Sequence, residues 1–216
     1  WIRMTITRDP VIEDGIAAMM LSSRETAVNY MTPLGLHHIM AEGHHWGPGP
    51  WVDGGRPDWT AVYYHRADTI GIGFDRTKNG SGAVNQYFPP LDSIFNDPQS
   101  CPENLLLWFH HLPWTYTMKS GRTLWNELCY RYNLGVDSVG WMQNLWSRQQ
   151  SKLDATRFEQ VKMLLAIQHQ EAKWWRDACL LYFQSISGLP IPASYEQPAK
   201  PLDYYKSLRF PYAPGH

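Results

Sequence analysis

Cysteine is scarce in this chain: three in 216 residues, Cys101, Cys129 and Cys179. An odd, widely spaced set makes no disulfide framework, and no closely spaced pair suggests a Cys-based metal site. Cys129 and Cys179 fall within apolar helical patterns, where buried free thiols are ordinary. A surplus of either charge is missing too. Nineteen Lys and Arg against twenty Asp and Glu leave a formal charge of −1, which excludes the basic field that nucleic-acid binding requires. No apolar run approaches the ~20 residues of a membrane span, and no signal-peptide pattern opens the sequence. Internal repeats and low-complexity tracts are lacking. The chain begins at Trp1 rather than Met and reads as an excised portion of a longer polypeptide.

Aromatic residues are plentiful instead. Eleven Trp and twelve Tyr bring the aromatic share to 14%, which points to carbohydrate contact or to large packed interfaces. Sugars present flat C–H faces that lie on indole rings and leave hydroxyls free for polar partners. The densest stretch is Leu34–Trp59, LGLHHIMAEGHHWGPGPWVDGGRPDW, with two His-His pairs, three Trp and a run of Gly and Pro that no helix or central strand tolerates. Such a loop holds a surface in fixed shape, and the bland alternative is an aromatic plug over a core.

The periodicity predicts a mainly α fold with irregular loops and a few short strands, α+β being the variant. Asp9-Pro10 is a helix start, followed by a helical face to about Met31 that Pro33 stops. From about 33 to 101 the helical period fades into a Trp/His/Gly/Pro-rich region, with Ala61–Tyr64 and Thr69–Phe74 as candidate extended pieces. Helical signals return over about 102–188, as Glu103–His111, Arg122–Tyr132 and Val136–Gln149. The strongest runs from Asp154 to Ile186, where apolar residues alternate steps of three and four. That helix would span roughly 48 Å, and reads equally as a subunit interface or as the centre of one bundle. The tail, 189–216, is Pro- and Tyr-rich and is expected to be extended.

Seven of nine His lie between His37 and His111, yet the adjacent pairs match no zinc-ligand spacing, so no metal and no cofactor is expected. No nucleophile elbow or phosphate loop is present. Glycosidase chemistry needs two facing carboxyls, but Asp58, Asp68 and Asp75 are explained as partners of Arg56, Arg66 and Arg76 or as turn residues. No catalytic residue is assigned. What remains is a sugar-contacting surface: Trp46, Trp51 and Trp59 as stacking faces, with His44, His45, Arg66 and Arg76 as donors. An arginine fork suits a carboxylate, so an acidic sugar fits.

The blocks YMTPLGLHHIM, GHHWGPGPW, DWTAVYYHRAD, GIGFDRT, QYFPP, LLLWFHHLPW, MKSGRTLWNELCYRY, GVDSV, EAKWWRDACLLYFQ and PLDYYKSL run in order from Trp1 to about Gly215. Together they resemble the C-terminal domain of family 67 α-glucuronidases. Departures are Ala41-Glu42 before Gly43-His44 and Thr115 after Trp114. The resemblance implies an inverting hydrolase that releases glucuronic acid, or its 4-O-methyl ether, from xylo-oligosaccharides. The catalytic carboxylates would lie on a (β/α)8 barrel of the same polypeptide, on which this helical domain packs. The domain would supply pocket wall and the homodimer contact through its helical region. The pocket aromatic is expected at Trp51, with Trp46, Trp59, His44, His45 and Arg76 completing the substrate-binding set. Secreted or cell-associated placement is favoured over cytoplasmic. The rival readings are an autonomous carbohydrate-binding module and a purely structural dimerisation domain.

Overall fold

Asp9 and Pro10 open the first long helix. The Asp9 carboxylate accepts the Val11 and Ile12 amides at 3.0 and 3.4 Å, and Pro10 takes the first helical position, where no amide is needed. In a computed structural model, which describes residues 1–41 and 46–209, the helices are α1 (Ile2–Thr5), α2 (Pro10–Met31), α3 (Ala61–His65), α4 (Leu91–Asn96), α5 (Leu106–Phe109), α6 (Leu124–Ser147), α7 (Ala155–Ser187) and α8 (Leu202–Ser207). One antiparallel pair, β1 (Gly71–Ile72) and β2 (Leu112–Pro113), matches Gly71 to Pro113 and Ile72 to Leu112. The fold is mainly α.

Helix α7 starts where Asp154 caps the Arg157 amide at 2.9 Å and stops at Gly188, whose φ of +71° suits glycine. Helix α6 differs from expectation. The two helices read across residues 122–149 are one, and Gly135 does not break it. A Cβ at Gly135 would stand 2.6 Å from the Tyr30 amide nitrogen, so the glycine lets α2 and α6 approach closely at their crossing. Ala61–Tyr64 is also not extended. Thr60 Oγ1 accepts the Tyr63 amide at 3.2 Å and caps α3, a local hydrogen bond that outweighs the β-branched and aromatic composition. The described part of the tail, 189–209, carries α8.

Helices α2, α6 and α7 form a bundle, α6 running antiparallel to both. Ile12 and Ile16 of α2 pack with Met142 and Trp146 of α6 and with Phe158 and Leu165 of α7 in one cluster. The other cluster is larger. It joins α6 (Leu124, Leu128, Tyr132, Val136) and the second half of α7 (Ala172, Trp175, Cys179, Phe183) to Leu34, Leu36, Ile39, Ala61, Ile72 and Val84. The irregular region is therefore laid across the α6–α7 end of the bundle as a second layer.

Polar links fix that layer. Glu127, 1% exposed, accepts from Ser120 Oγ, Arg122 and Arg131 at 2.8, 3.1 and 2.6 Å. Burial pushes its carboxyl pKa up, but the hydroxyl and the two guanidinium groups outweigh it and hold it below the ordinary value. Arg176, buried on α7, binds Asp177 at 2.7 Å and Glu196 at 3.0 Å, tying the tail to the bundle. The Tyr205 hydroxyl of α8 donates to Asp177 at 3.0 Å.

Candidate functional site

The Gly-Pro loop is held at both ends by backbone hydrogen bonds. Ala41 N donates to Gly47 O at 3.1 Å, and Gly49 N to Ile39 O at 2.9 Å. Gly47, at φ +66°, lies on the Trp174 indole of α7, so close that a Cβ would stand 2.0 Å from a ring carbon. Only glycine meets both conditions. Two further backbone hydrogen bonds place the segment against α3: Val52 N donates to Gly49 O and Val62 N to Val52 O, at 3.0 and 3.1 Å.

His65 fixes the backbone beside Trp51. This ring is 1% exposed and receives the Ala67 amide on Nδ1 at 2.8 Å. Nδ1 is therefore the unprotonated nitrogen, and Nε2–H donates to the Pro50 carbonyl at 2.8 Å. Burial lowers its pKa from 6.5 to about 4, the Pro50 carbonyl opposing in part. His65 also meets Tyr182 and Phe183 of α7 edge-on, at 5.6 and 5.3 Å. Trp51, the next residue after Pro50, is half-buried with its ring 6.4 Å from Tyr182.

A second aromatic group gathers around Tyr64 of α3. His38 Nε2–H donates to Trp59 O at 2.8 Å, and the His38 ring lies 4.8 Å from Tyr64. Tyr64 stacks with Trp108 at 5.8 Å and 20°, and His37 stands edge-on to Trp108 at 5.2 Å. Trp59 is 60% exposed, with Arg56 5.3 Å over its ring. A cleft of about 420 Å³ opens between His37, His38, Met40, Tyr64, Leu105 and Trp108.

The sequence-predicted residues thus fall into sets. Trp51 and Trp46 lie toward α7, Trp46 being 49% exposed beside the Gly47–Trp174 contact. Trp59 and Arg76 lie around the Tyr64–Trp108 stack, Arg76 itself 8% exposed. His44 and His45 lie outside the described residues. Asp58 does pair with Arg56, at 2.6 Å. Asp68 and Asp75 are turn residues, accepting the Ile70 and Gly71 amides and the Thr77 amide and hydroxyl. Their expected partners take ring faces instead: Arg66 and Arg76 stand 3.9 and 4.1 Å from the Phe74 centroid. His65, Tyr64, Trp108 and Tyr182 are the residues that sequence reasoning missed. Trp108 reads there only as one more apolar residue in LLLWF. Among the described residues, no three His, Cys, Asp or Glu side chains cluster as metal ligands, and no helix is long and apolar enough to cross a membrane.

Residues 1–196 match the family described as glycosyl hydrolase family 67 C-terminus. The chain belongs to that family. Alpha-glucuronidase A of Emericella nidulans is 34% identical over 198 residues, 89% of this chain and 23% of that protein. Probable alpha-glucuronidases A of Aspergillus oryzae and Aspergillus terreus are 33% and 32% identical over 193 residues, 88% of this chain. The family 67 chain therefore spans a little over a fifth of the length of the curated relatives it matches.

Proposed function

We propose that this chain is the C-terminal part of an α-glucuronidase, an inverting hydrolase that releases glucuronic acid or its 4-O-methyl ether from xylo-oligosaccharides. The observation that carries the reading is the family 67 match over residues 1–196, joined to relatives named alpha-glucuronidase. The catalytic carboxylates belong to a barrel domain of the same polypeptide, and this domain lends it one wall of the sugar pocket. The His65–Pro50 hydrogen bond supports Trp51 as the wall's stacking face, because backbone fixed at the preceding residue needs less further ordering when a sugar arrives. Trp46, Trp59, His44, His45 and Arg76 complete the proposed substrate-facing set.

The test compares the full-length polypeptide with the separate chain on glucuronosyl xylo-oligosaccharides. The full-length protein is expected to release glucuronic acid and the separate chain to release none. Absence of release by the full-length protein refutes the reading, and tight sugar binding by the separate chain would favour an autonomous binding module.

The same polypeptide is proposed to dimerise through the helical region. Met163, Leu164 and Ile167, on one arc of α7, are 57%, 59% and 53% exposed, as an unpartnered apolar stripe would be. Trp175 is 1% exposed and packed in the core, so a charge there tests folding rather than association. Leu164→Glu with Ile167→Glu should give monomers in sedimentation. A persisting dimer moves the contact elsewhere.

A further inference from the structure

Trp174 is a large aromatic side chain of α7 that the core does not claim. Its neighbour Trp175 is 1% exposed and belongs to the larger apolar cluster. Trp174 is half-buried and, among the described residues, is a member of neither cluster. It lies under the Gly-Pro loop instead. The three atoms that a Cβ at Gly47 would meet first are all carbons of the Trp174 six-membered ring, Cη2, Cζ3 and Cζ2. The loop backbone therefore rests on the outer end of the indole, at a residue where only glycine leaves room for it.

The run from Gly47 to Pro50 is buried, and the tryptophans at its two ends are not: Trp46 is 49% exposed and Trp51 half-buried. Whatever sets the height of this run sets the place of both rings. Its Pro50 end is held by the His65 hydrogen bond. Its Gly47 end is joined to the 40–41 stretch by a single short bridge, with Ala41 N donating to Gly47 O at 3.1 Å. A ladder that short does not fix a loop without packing beneath it. Trp174 supplies that packing. Pro48 and Pro50 each hold φ near about −65°, which leaves few torsions to absorb a displacement at Gly47 before it reaches Trp51.

We propose that Trp174 is a positioning residue for the α-glucuronidase reaction: its indole sets the 47–50 run and, through it, the place of the Trp51 ring at the sugar pocket. The inference rests on the reading of Trp51 as pocket wall and adds the side chain behind that wall, which itself meets no sugar. Magnitude favours such a role, because a group misplaced by roughly 1 Å in a preorganised site can cost up to about 100-fold in rate. Subunit contact is the rival role for Trp174.

The experiment measures kcat and KM of the full-length protein on a glucuronosyl xylo-oligosaccharide for wild type, Trp51→Ala, Trp174→Ala and the double variant, with melting curves and sedimentation for each. Trp174→Ala is expected to lower kcat/KM by roughly fivefold or more. The double variant should match Trp51→Ala within about twofold, since a residue that acts through Trp51 has nothing left to position. Gly47→Ala disturbs the same contact from the loop side. It should lower kcat/KM likewise, and by less than about twofold once Trp51 is replaced, which keeps the test decisive if Trp174→Ala does not fold. Losses that multiply in the double variant overturn the proposal, as do unchanged kinetics in a folded Trp174→Ala protein. Monomers from Trp174→Ala overturn it too and assign the ring to the subunit contact. If Trp51→Ala is impaired while Trp174→Ala and Gly47→Ala are not, the positioning role alone fails. If Trp51→Ala leaves a hydrolysing protein unchanged, the pocket-wall reading fails and the positioning role with it. If wild type does not hydrolyse the substrate, the α-glucuronidase reading fails and takes both with it.

Discussion

Acid should release the clamp on Trp51, and His65 is the group through which it acts. The ring uses both nitrogens in its neutral form, accepting from Ala67 N and donating to Pro50 O. A second ring proton would set an N–H against the Ala67 amide in a buried place. Burial accordingly holds the folded pKa near 4, against the ordinary 6.5. As pH falls through about 6.5 the unfolded chain takes up a proton on this ring while the folded chain does not. The contribution of His65 is therefore complete above pH 6.5, is lost progressively down to about 4, and changes no further below that. At about 1.4 kcal/mol per pH unit, the interval from 6.5 to about 4 amounts to about 3 kcal/mol. His65→Leu keeps an apolar side chain but removes the proton site and leaves the Pro50 carbonyl and Ala67 amide unpaired. It should cost about 2–5 kcal/mol at neutral pH and flatten the stability profile between pH 4 and 6.5 relative to wild type. Urea unfolding across that pH range, on both proteins, measures the difference. Equal slopes for the two, or a His65 ring titrating near 6.5 by NMR, would refute the reasoning.

Two further substitutions probe the loop and its support. Glu127→Ala should destabilise by about 3–5 kcal/mol, because it strands Arg122 and Arg131 around a buried site; a change under about 1 kcal/mol would contradict this. The Glu127 carboxyl sits below its ordinary pKa, so its contribution is present above the unfolded value and falls away as acid takes pH below it. Gly47→Ala should cost at least about 1 kcal/mol from left-handed strain alone. The added methyl must also displace the Trp174 ring, so tryptophan fluorescence should shift; an unchanged spectrum and stability would show that the loop does not rest on α7.

The helices were legible in the sequence wherever a local signal repeats a tertiary demand. Asp9-Pro10 and Asp154 announce α2 and α7 because capping is decided by adjacent residues. Gly135 misled, since its reason lies in Tyr30, a hundred residues away in sequence, and glycine for close helix approach looks the same as glycine for a break. The three tryptophans of the loop stood out by composition, yet their grouping did not. It depends on His65, which packs on Phe183 and Tyr182 of α7, and on Trp108 of α5, which stacks on Tyr64 of α3. Arg66 and Arg76 were matched to neighbouring aspartates by charge. Those aspartates had nearer donors in their own turns, and the guanidinium groups went to Phe74.

The most direct test is the kinetics of Trp51→Ala in the full-length polypeptide on a glucuronosyl xylo-oligosaccharide. A pocket-wall role predicts a fall in kcat/KM of roughly tenfold or more, as expected for a lost aromatic contact, with the melting temperature little changed because the ring is only half-buried. Kinetics identical to wild type, in a protein that hydrolyses the substrate, would contradict the account and leave the domain a structural one.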